Sequence, residues 1–411
     1  MKNFSRIAVM AAATLILGCP IAQSADSSAP PAKPGVSAAA AKDLQAAQKA
    51  LTEKRYDDVL VSLDKVKANT KKSEYDEYVM NEFYFTTYAG QKNYQAAEAP
   101  LEAAMASKFM APEELKQRLG QAATLAYQLQ NYDKAVEFGN RAIEAGNASD
   151  QVPLVVAQSY YLKNDYKNAD RVTRSVVDAQ IKADQMPSEE ILRIGLSAAA
   201  KQNDAPGEAH WLELMVSYHP TTEYWEDLLD TMYHNKLSDH QTLQLYRLSA
   251  EVGVLKRAAD YGEMAQLALD AGSPGEAVAA LNSAFVANNF TDAAEKNREQ
   301  HLLDSAKKLA AADQPTLGKI EAEAGNAPTG DRLVGAGLGY FSYGDYAKAA
   351  TDISAGFAKG TTKDTADTRL LLGIAQLKAG DKDSAVKTFK SVKGDAVYER
   401  LAALWILHAK T

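Results

Sequence analysis

The sequence predicts an all-α chain, an α-α superhelix of about ten helical pairs with a C-terminal capping helix. Three observations carry that reading. An aromatic residue followed three places on by a small one recurs at Tyr56-Asp-Asp-Val59, Tyr94-Gln-Ala-Ala97, Tyr132-Asp-Lys-Ala135, Tyr166-Lys-Asn-Ala169 and Tyr346-Ala-Lys-Ala349. The tyrosines are spaced by 38, 38, 34 and then 180 residues, and a period in the mid-thirties marks helical units that cannot bury their apolar faces alone. Beyond each small residue the apolar positions continue in steps of four and three: Leu101 and Ala104 after Ala97, Gly139 and Ala142 after Ala135, Phe389 and Val392 after Ala385. Such steps keep side chains on one face of a helix. Finally, no stretch of useful length alternates β-branched with polar residues, as a half-buried strand requires.

The chain begins with an export signal. Lys2 and Arg6 form a positive head, Ile7 to Leu17 is an apolar run too short to span a bilayer, and small residues follow at Ala22, Ser24 and Ala25. Residues 1–25 are therefore expected to be removed, placing the mature protein in the periplasm. The lone cysteine, Cys19, sits in Ile16-Leu17-Gly18-Cys19, which resembles a lipobox and implies an alternative: acylation and a lipid anchor on the outer membrane. Leu17 before the glycine and Pro20 after the cysteine depart from that pattern, which favours ordinary cleavage near Gln23 to Ala25. Either way, the body beyond residue 25 has no cysteine, hence no disulfide and no thiolate metal site. Nor does any later stretch have the length and apolarity of a transmembrane segment. Residues 26–41, rich in Ala, Ser and Pro, read as a flexible linker.

Residues 42–411 read as helix, short turn, helix throughout. Gly, Asn, Asp and Pro mark the turns, as in Gly90-Gln-Lys-Asn93, Lys163-Asn-Asp165, Gly272-Ser-Pro-Gly275 and Gly380-Asp-Lys-Asp383. These residues resemble the tetratricopeptide repeat, with small residues on the first helix of a pair, an aromatic opening the second helix, and alanine three later. The match is clear near 44–75, 78–110, 115–148, 150–184, 258–290, 330–360 and 366–394, and sharpest over Leu370 to Ala385. It is degenerate at about 187–254, where Pro206 replaces the turn aromatic, and at 293–326. Residues 396–407 keep a helical period with no pair to follow, as expected of the cap that covers the last apolar face of an array.

Chemistry-bearing patterns fail one by one. Residues beyond the signal carry 43 basic against 53 acidic side chains, a net charge of −10, which repels nucleic acid and anionic lipid. The histidines at 210, 219, 234, 240, 301 and 408 have no metal-ligand spacing. Gly335-Ala-Gly337-Leu-Gly339 lacks the third glycine of a dinucleotide loop, and Gly325-Asn-Ala-Pro-Thr-Gly330 is followed by Asp331-Arg332 where a phosphate loop needs Lys-Ser/Thr. No nucleophile elbow is present, and acidic pairs such as Glu189-Glu190 or Asp227 with Asp230 are common on solvated helix faces. No catalytic residue, metal or cofactor is expected.

What remains is a surface. In the family resembled, the first helix of each pair lines a concave groove. Carried over in register, the positions that face it are Thr86, Thr124, Tyr127, Gln128, Gln158, Tyr161 and Phe341. The resemblance implies a non-catalytic scaffold that holds protein partners, as peptides or helices, within an envelope complex. The alternatives are an outer-membrane lipoprotein in envelope assembly and an activator of a cell-wall enzyme. The Lys–Asn clamp that some family members use on a terminal carboxylate is absent, because Glu82, Thr86, Gly120 and Thr124 stand at those positions.

Overall fold

The computed structural model describes residues 35–147, 149, 151–233 and 236–411. The signal peptide, Cys19 and linker residues 26–34 lie outside the described residues. Those described are helical or irregular, with no strand, and they form two compact units that divide between Asp204 and Ala205. That boundary falls inside the stretch where the repeat pattern erodes.

Unit 1 runs through α1 (Ala41–Thr52), α2 (Tyr56–Ala68), α3 (Glu74–Gly90), α4 (Tyr94–Met105), α5 (Pro112–Gln128), α6 (Tyr132–Glu144), α7 (Gln151–Leu162), α8 (Tyr166–Lys182) and α9 (Glu189–Gln202). Helices adjacent in sequence pack as antiparallel neighbours, and α1, α5 and α9 also touch the next first helix along, through α3 and α7. This is a tetratricopeptide-like stack of helix pairs.

The turn inside each pair has one design. The last residue but one before the second helix takes a left-handed conformation: Lys54, Lys92, Gln130 and Asn164 in unit 1, with φ from 56° to 61°. The next residue then reaches back five positions with its N–H, as Asn131 N does to the Ala126 carbonyl at 2.8 Å and Asp165 N to Tyr160 at 2.9 Å, which closes the carbonyls left open at the helix end. Its side chain also caps the helix that follows. Asn93, Asn131 and Asp165 accept from the N–H groups of Ala96, Lys134 and Asn168. One short residue thus ends one helix and starts the next.

The repeated small residue does what its position demands. Ala97, Ala135, Ala169, Ala277, Ala349 and Ala385 are all fully buried, where a larger side chain would hold the two helices apart. Glycines on the facing helices serve the same approach. A Cβ on Gly337 would lie 2.7 Å from the Ile353 side chain and one on Gly339 2.5 Å from Leu317, so close helix packing explains these two glycines.

Unit 2 comprises α10 (Ala205–Tyr218), α11 (Thr222–Tyr233), α12 (Asp239–Glu251), α13 (Ala258–Asp270), α14 (Pro274–Val286), α15 (Ala293–Asp313), a 3-10 turn at Gln314–Thr316, α16 (Leu317–Gly325), α17 (Asp331–Ser342), α18 (Tyr346–Lys359), α19 (Ala366–Lys378), α20 (Lys382–Lys390) and α21 (Ala396–Lys410). The pairs α13/α14, α17/α18 and α19/α20 repeat the turn, with Gly272, Gly344 and Gly380 now in the left-handed position. The degenerate stretch at 293–326 becomes an unequal pair, since α15 has 21 residues and α16 only 9.

The last helix, α21, packs on α19 and α20, as expected of a capping helix, and also reaches α10 and α12. Arg400 pairs with Glu213 of α10, and Asp395 accepts from Gln241 of α12 at 3.2 Å. The reason is visible in α12, whose residues Leu243 to Ser249 are buried without a break. A helix buried all round sits at the centre of its fold, and the later pairs of unit 2 wrap around it.

Candidate functional site

The first helices of unit 1 form the surface on which the sequence places its groove. Thr86 and Thr124 are buried, and each hydroxyl donates to the carbonyl four residues back, Glu82 and Gly120, at 2.9 and 3.0 Å. They face the groove in register yet spend their polarity on their own helix. Gln158, 3% exposed, donates from Nε2 to Oε1 of Glu190 on α9 at 3.0 Å, and its own carbonyl oxygen has no donor. Sequence reasoning set Glu190 aside as one half of an acidic pair. Its role as the partner of Gln158 depends on α7 and α9 lying side by side, for which one helix period gives no signal.

Tyr127, Gln128 and Tyr161 remain half-buried at the surface. Tyr127 packs on Tyr132 with ring centroids 5.9 Å apart, and Tyr161 meets Tyr166 edge-on at 5.2 Å. Each pair spans a hairpin turn, joining the end of a first helix to the opening aromatic of the second. Each ring is thus held by an aromatic neighbour while part of it stays accessible. Burial raises the Tyr127 hydroxyl above its usual range, and Tyr132 and Glu190 add to the effect; it therefore stays a neutral donor and acceptor at physiological pH.

Phe341 keeps the same register in α17 and stacks on Tyr346 at 5.4 Å. Its surroundings differ. It is 6% exposed and lies beneath the Arg247 guanidinium of α12, 5.5 Å from the ring centroid. Of the seven positions in groove register, Thr86, Thr124, Gln158 and Phe341 are buried and Tyr127, Gln128 and Tyr161 are half-buried.

In unit 2 the polar side chains of α12 bond to the helices that follow it. Arg247 makes a two-pronged pair with Glu276 of α14, both contacts at 2.7 Å. Gln244 donates to Asp367 of α19 at 2.7 Å. Glu251, at the end of α12, pairs with Lys378 of α19 and lies 3.7 Å from His408 of α21. Those contacts, His408 first and then Lys378, hold its carboxyl down at about 2 against the opposing effect of burial. Charged residues along one helix therefore tie α14, α19 and α21 to the centre of the unit.

Unit 1 has its own buried pair. Glu82 of α3 and Arg118 of α5 meet through two nitrogens of the guanidinium, with Glu114 at 3.4 Å and Phe85 beneath the charge at 5.4 Å. Among the described residues, no group of three His, Cys, Asp or Glu side chains is placed to hold a metal ion. No described helix is long and apolar enough to cross a membrane.

No family model matches the sequence, and no curated protein does. Among solved structures, the chain is similar to the TPR2AB domain of yeast Sti1 in its pHSP90 complex, at 14% identity, TM-score 0.25, and coverage of 72% of this chain and 98% of that one. Yeast Tom70 matches at 10% identity, TM-score 0.24, and coverage of 90% and 95%. The P58(IPK) TPR domain matches at 11% identity, TM-score 0.23, and coverage of 90% and 97%. At scores this low, the tetratricopeptide-like architecture rests on the helix pairing, turns and buried alanines themselves.

Proposed function

We propose that the chain is an exported, non-catalytic scaffold that holds a partner polypeptide along the first-helix face of unit 1. The observation that carries the reading is Tyr127 and Tyr161, half-buried in equivalent register on α5 and α7, with half-buried Gln128 beside the first. Each tyrosine ring is braced from behind by the aromatic that opens the next helix. Rigid, amphipathic rings lose little conformational freedom on contact and recur at binding hot spots. Aromatic rings with a polar side chain nearby suit an extended peptide or the face of a partner helix.

Export rests on residues 1–25, with cleavage near Gln23 to Ala25 and residence in the periplasm, within an envelope transport complex. Mass spectrometry of the mature N-terminus separates this from the lipoprotein alternative. A start at Gln23 or later supports it, and an acylated Cys19 replaces it with an outer-membrane anchor. The purified protein is expected neither to cleave nor to retain peptidoglycan; retention would favour the cell-wall reading.

The binding face is tested by Tyr127→Ala and Tyr161→Ala together. Partner capture by in-cell crosslinking should fall at least about tenfold, which corresponds to roughly 1.4 kcal/mol. Helicity should be unchanged, because the rings sit at the hairpin surface. Undiminished capture would overturn the proposal.

A further inference from the structure

We propose that the partner of unit 1 enters as an amphipathic helix, seated lengthwise along α7 with a guanidinium over the Tyr127 ring and an apolar side chain against Leu162. The inference rests on the scaffold reading above and names the form and chemistry of the partner. An occupied copy of the same surface lies inside the chain. Phe341 with Tyr346 repeats the pairs Tyr127 with Tyr132 and Tyr161 with Tyr166. In each, the first ring stands five residues before the aromatic that opens the second helix, and the ring centroids lie 5.4, 5.9 and 5.2 Å apart. A left-handed residue, Gly344, Gln130 or Asn164, sits two places before each opening aromatic.

The copy in unit 2 is covered by a helix, α12. Arg247 sets its guanidinium 5.5 Å from the Phe341 ring centroid and is held there by Glu276. Gln244 donates to Asp367 in the first turn of α19 at 2.7 Å, and Glu251 pairs with Lys378 at the end of α19. The two contacts follow the same order along both helices, so α12 lies parallel to α19. Gln244, Arg247 and Glu251 are separated by steps of three and four, which puts all three on one face of α12, the anchor pattern of a helix laid into a groove.

Register carries each contact into unit 1. Counted back from the buried alanine of each pair, Phe341 corresponds to Tyr127, Asp367 to Gln151 and Lys378 to Leu162. Tyr127 is half-buried, and Gln151 and Leu162 are exposed. The three positions that seat α12 in unit 2 are thus accessible in unit 1, with altered chemistry. Tyr127 keeps an aromatic face for a guanidinium, which packs on rings more readily than an ammonium. Gln151 keeps a hydrogen-bonding group. Leu162 removes the cation, so a carboxylate at the position of Glu251 loses its partner and an apolar side chain gains one. The net charge of −10 beyond the signal favours a partner that brings a cation.

The test uses the purified mature chain and fluorescein-labelled peptides with the sequence of residues 238–252, read by fluorescence anisotropy at about 150 mM salt. The Glu251→Leu peptide should bind at least about threefold more tightly than the unaltered one. Adding Arg247→Gln to it should weaken binding about threefold or more, and adding Leu245→Pro, which breaks the helix, should abolish it. Tyr127→Ala in the chain should weaken the Glu251→Leu peptide about tenfold, with circular dichroism unchanged. Equal binding by the proline peptide would mean an extended partner and overturn the inference. Tighter binding of the unaltered peptide would mean exchange with α12 in unit 2 and overturn it equally, as would no binding of the Glu251→Leu peptide. If the peptides fail while Tyr127→Ala and Tyr161→Ala still abolish partner capture, the scaffold reading stands with a partner of another form. If those tyrosine variants capture normally, the scaffold reading itself has failed.

Discussion

At the scale of single residues, the turn inside each helix pair concentrates the most structural information. Unit 1 places Lys54, Lys92, Gln130 and Asn164 in the left-handed conformation that unit 2 gives to Gly272, Gly344 and Gly380. A side chain with a Cβ pays about 1–2 kcal/mol there, part of which glycine returns as lost unfolded-state restriction. Gln130→Gly should therefore raise the stability of unit 1 by about 0.5–1 kcal/mol, seen as a higher urea midpoint with unchanged slope. Ala135 lies five residues on and is fully buried. Ala135→Leu should cost about 1–3 kcal/mol by forcing α5 and α6 apart. Both positions were legible in the sequence, since a Tyr-x-x-Ala phrase and its turn recur with a period. The burial of Thr86, Thr124 and Gln158 was not. Their register faces the groove, and nothing in a single repeat says how closely the neighbouring first helix packs or that a threonine hydroxyl satisfies itself on its own backbone.

At the scale of elements, a helix pair is held by its cap, its buried alanine and its contacts to the next pair. Asp165 ends the α7–α8 turn and caps α8 through the Asn168 N–H, so Asp165→Ala should cost about 1 kcal/mol and leave the start of α8 more open to amide exchange. The link from α3 to α5 is stronger in consequence. Arg118 and Glu82 are both almost wholly buried, and removing the Glu82 charge leaves Arg118 with Glu114 and Gln121 as its remaining partners. Glu82→Gln should destabilise unit 1 by about 1–3 kcal/mol, measured by thermal denaturation. Helix existence, the seven well-matched pairs and the turns between them were readable from hydrophobic steps and turn residues. The charge pair was not, because Glu82 and Arg118 stand 36 residues apart and one period cannot say which face of α3 meets which face of α5.

At the scale of whole units, the two halves of the chain use the same element differently. Unit 1 keeps its first-helix face lined by half-buried tyrosines, whereas unit 2 closes around α12. The contacts that close it join residues 123 to 187 positions apart, from Gln244 to Asp367 and from Glu213 to Arg400. No local pattern announces such a closure, because the residues that make it stand so far apart in the sequence. Closure also makes unit 2 sensitive to acid. The Glu251 carboxyl is depressed from 4.5 to about 2 by His408 and Lys378. A lowered carboxylate pKa contributes stability that is fully present above the unfolded value and lost as pH falls through the folded one. The stability of unit 2 should therefore decline between about pH 4.5 and about pH 2, and Glu251→Gln should flatten that limb while lowering stability at neutral pH. An unchanged acid limb in the variant would remove Glu251 from the closure. Phe341, the unit 2 counterpart of Tyr127 and Tyr161, already lies under Arg247, which is why the proposed binding face is assigned to unit 1.

We propose the first-helix face of unit 1 as the surface that meets a partner. The most direct measurement is site-specific photo-crosslinking in living cells, with a benzophenone side chain placed at Gln128 or Leu162 on that face, and at the exposed Glu137 of α6 as the control. The account predicts one shared adduct from Gln128 and Leu162, none from Glu137, and loss of the adduct when Tyr127 and Tyr161 become alanine. Adducts of equal yield from Glu137, or adducts that survive the loss of both tyrosines, would contradict it.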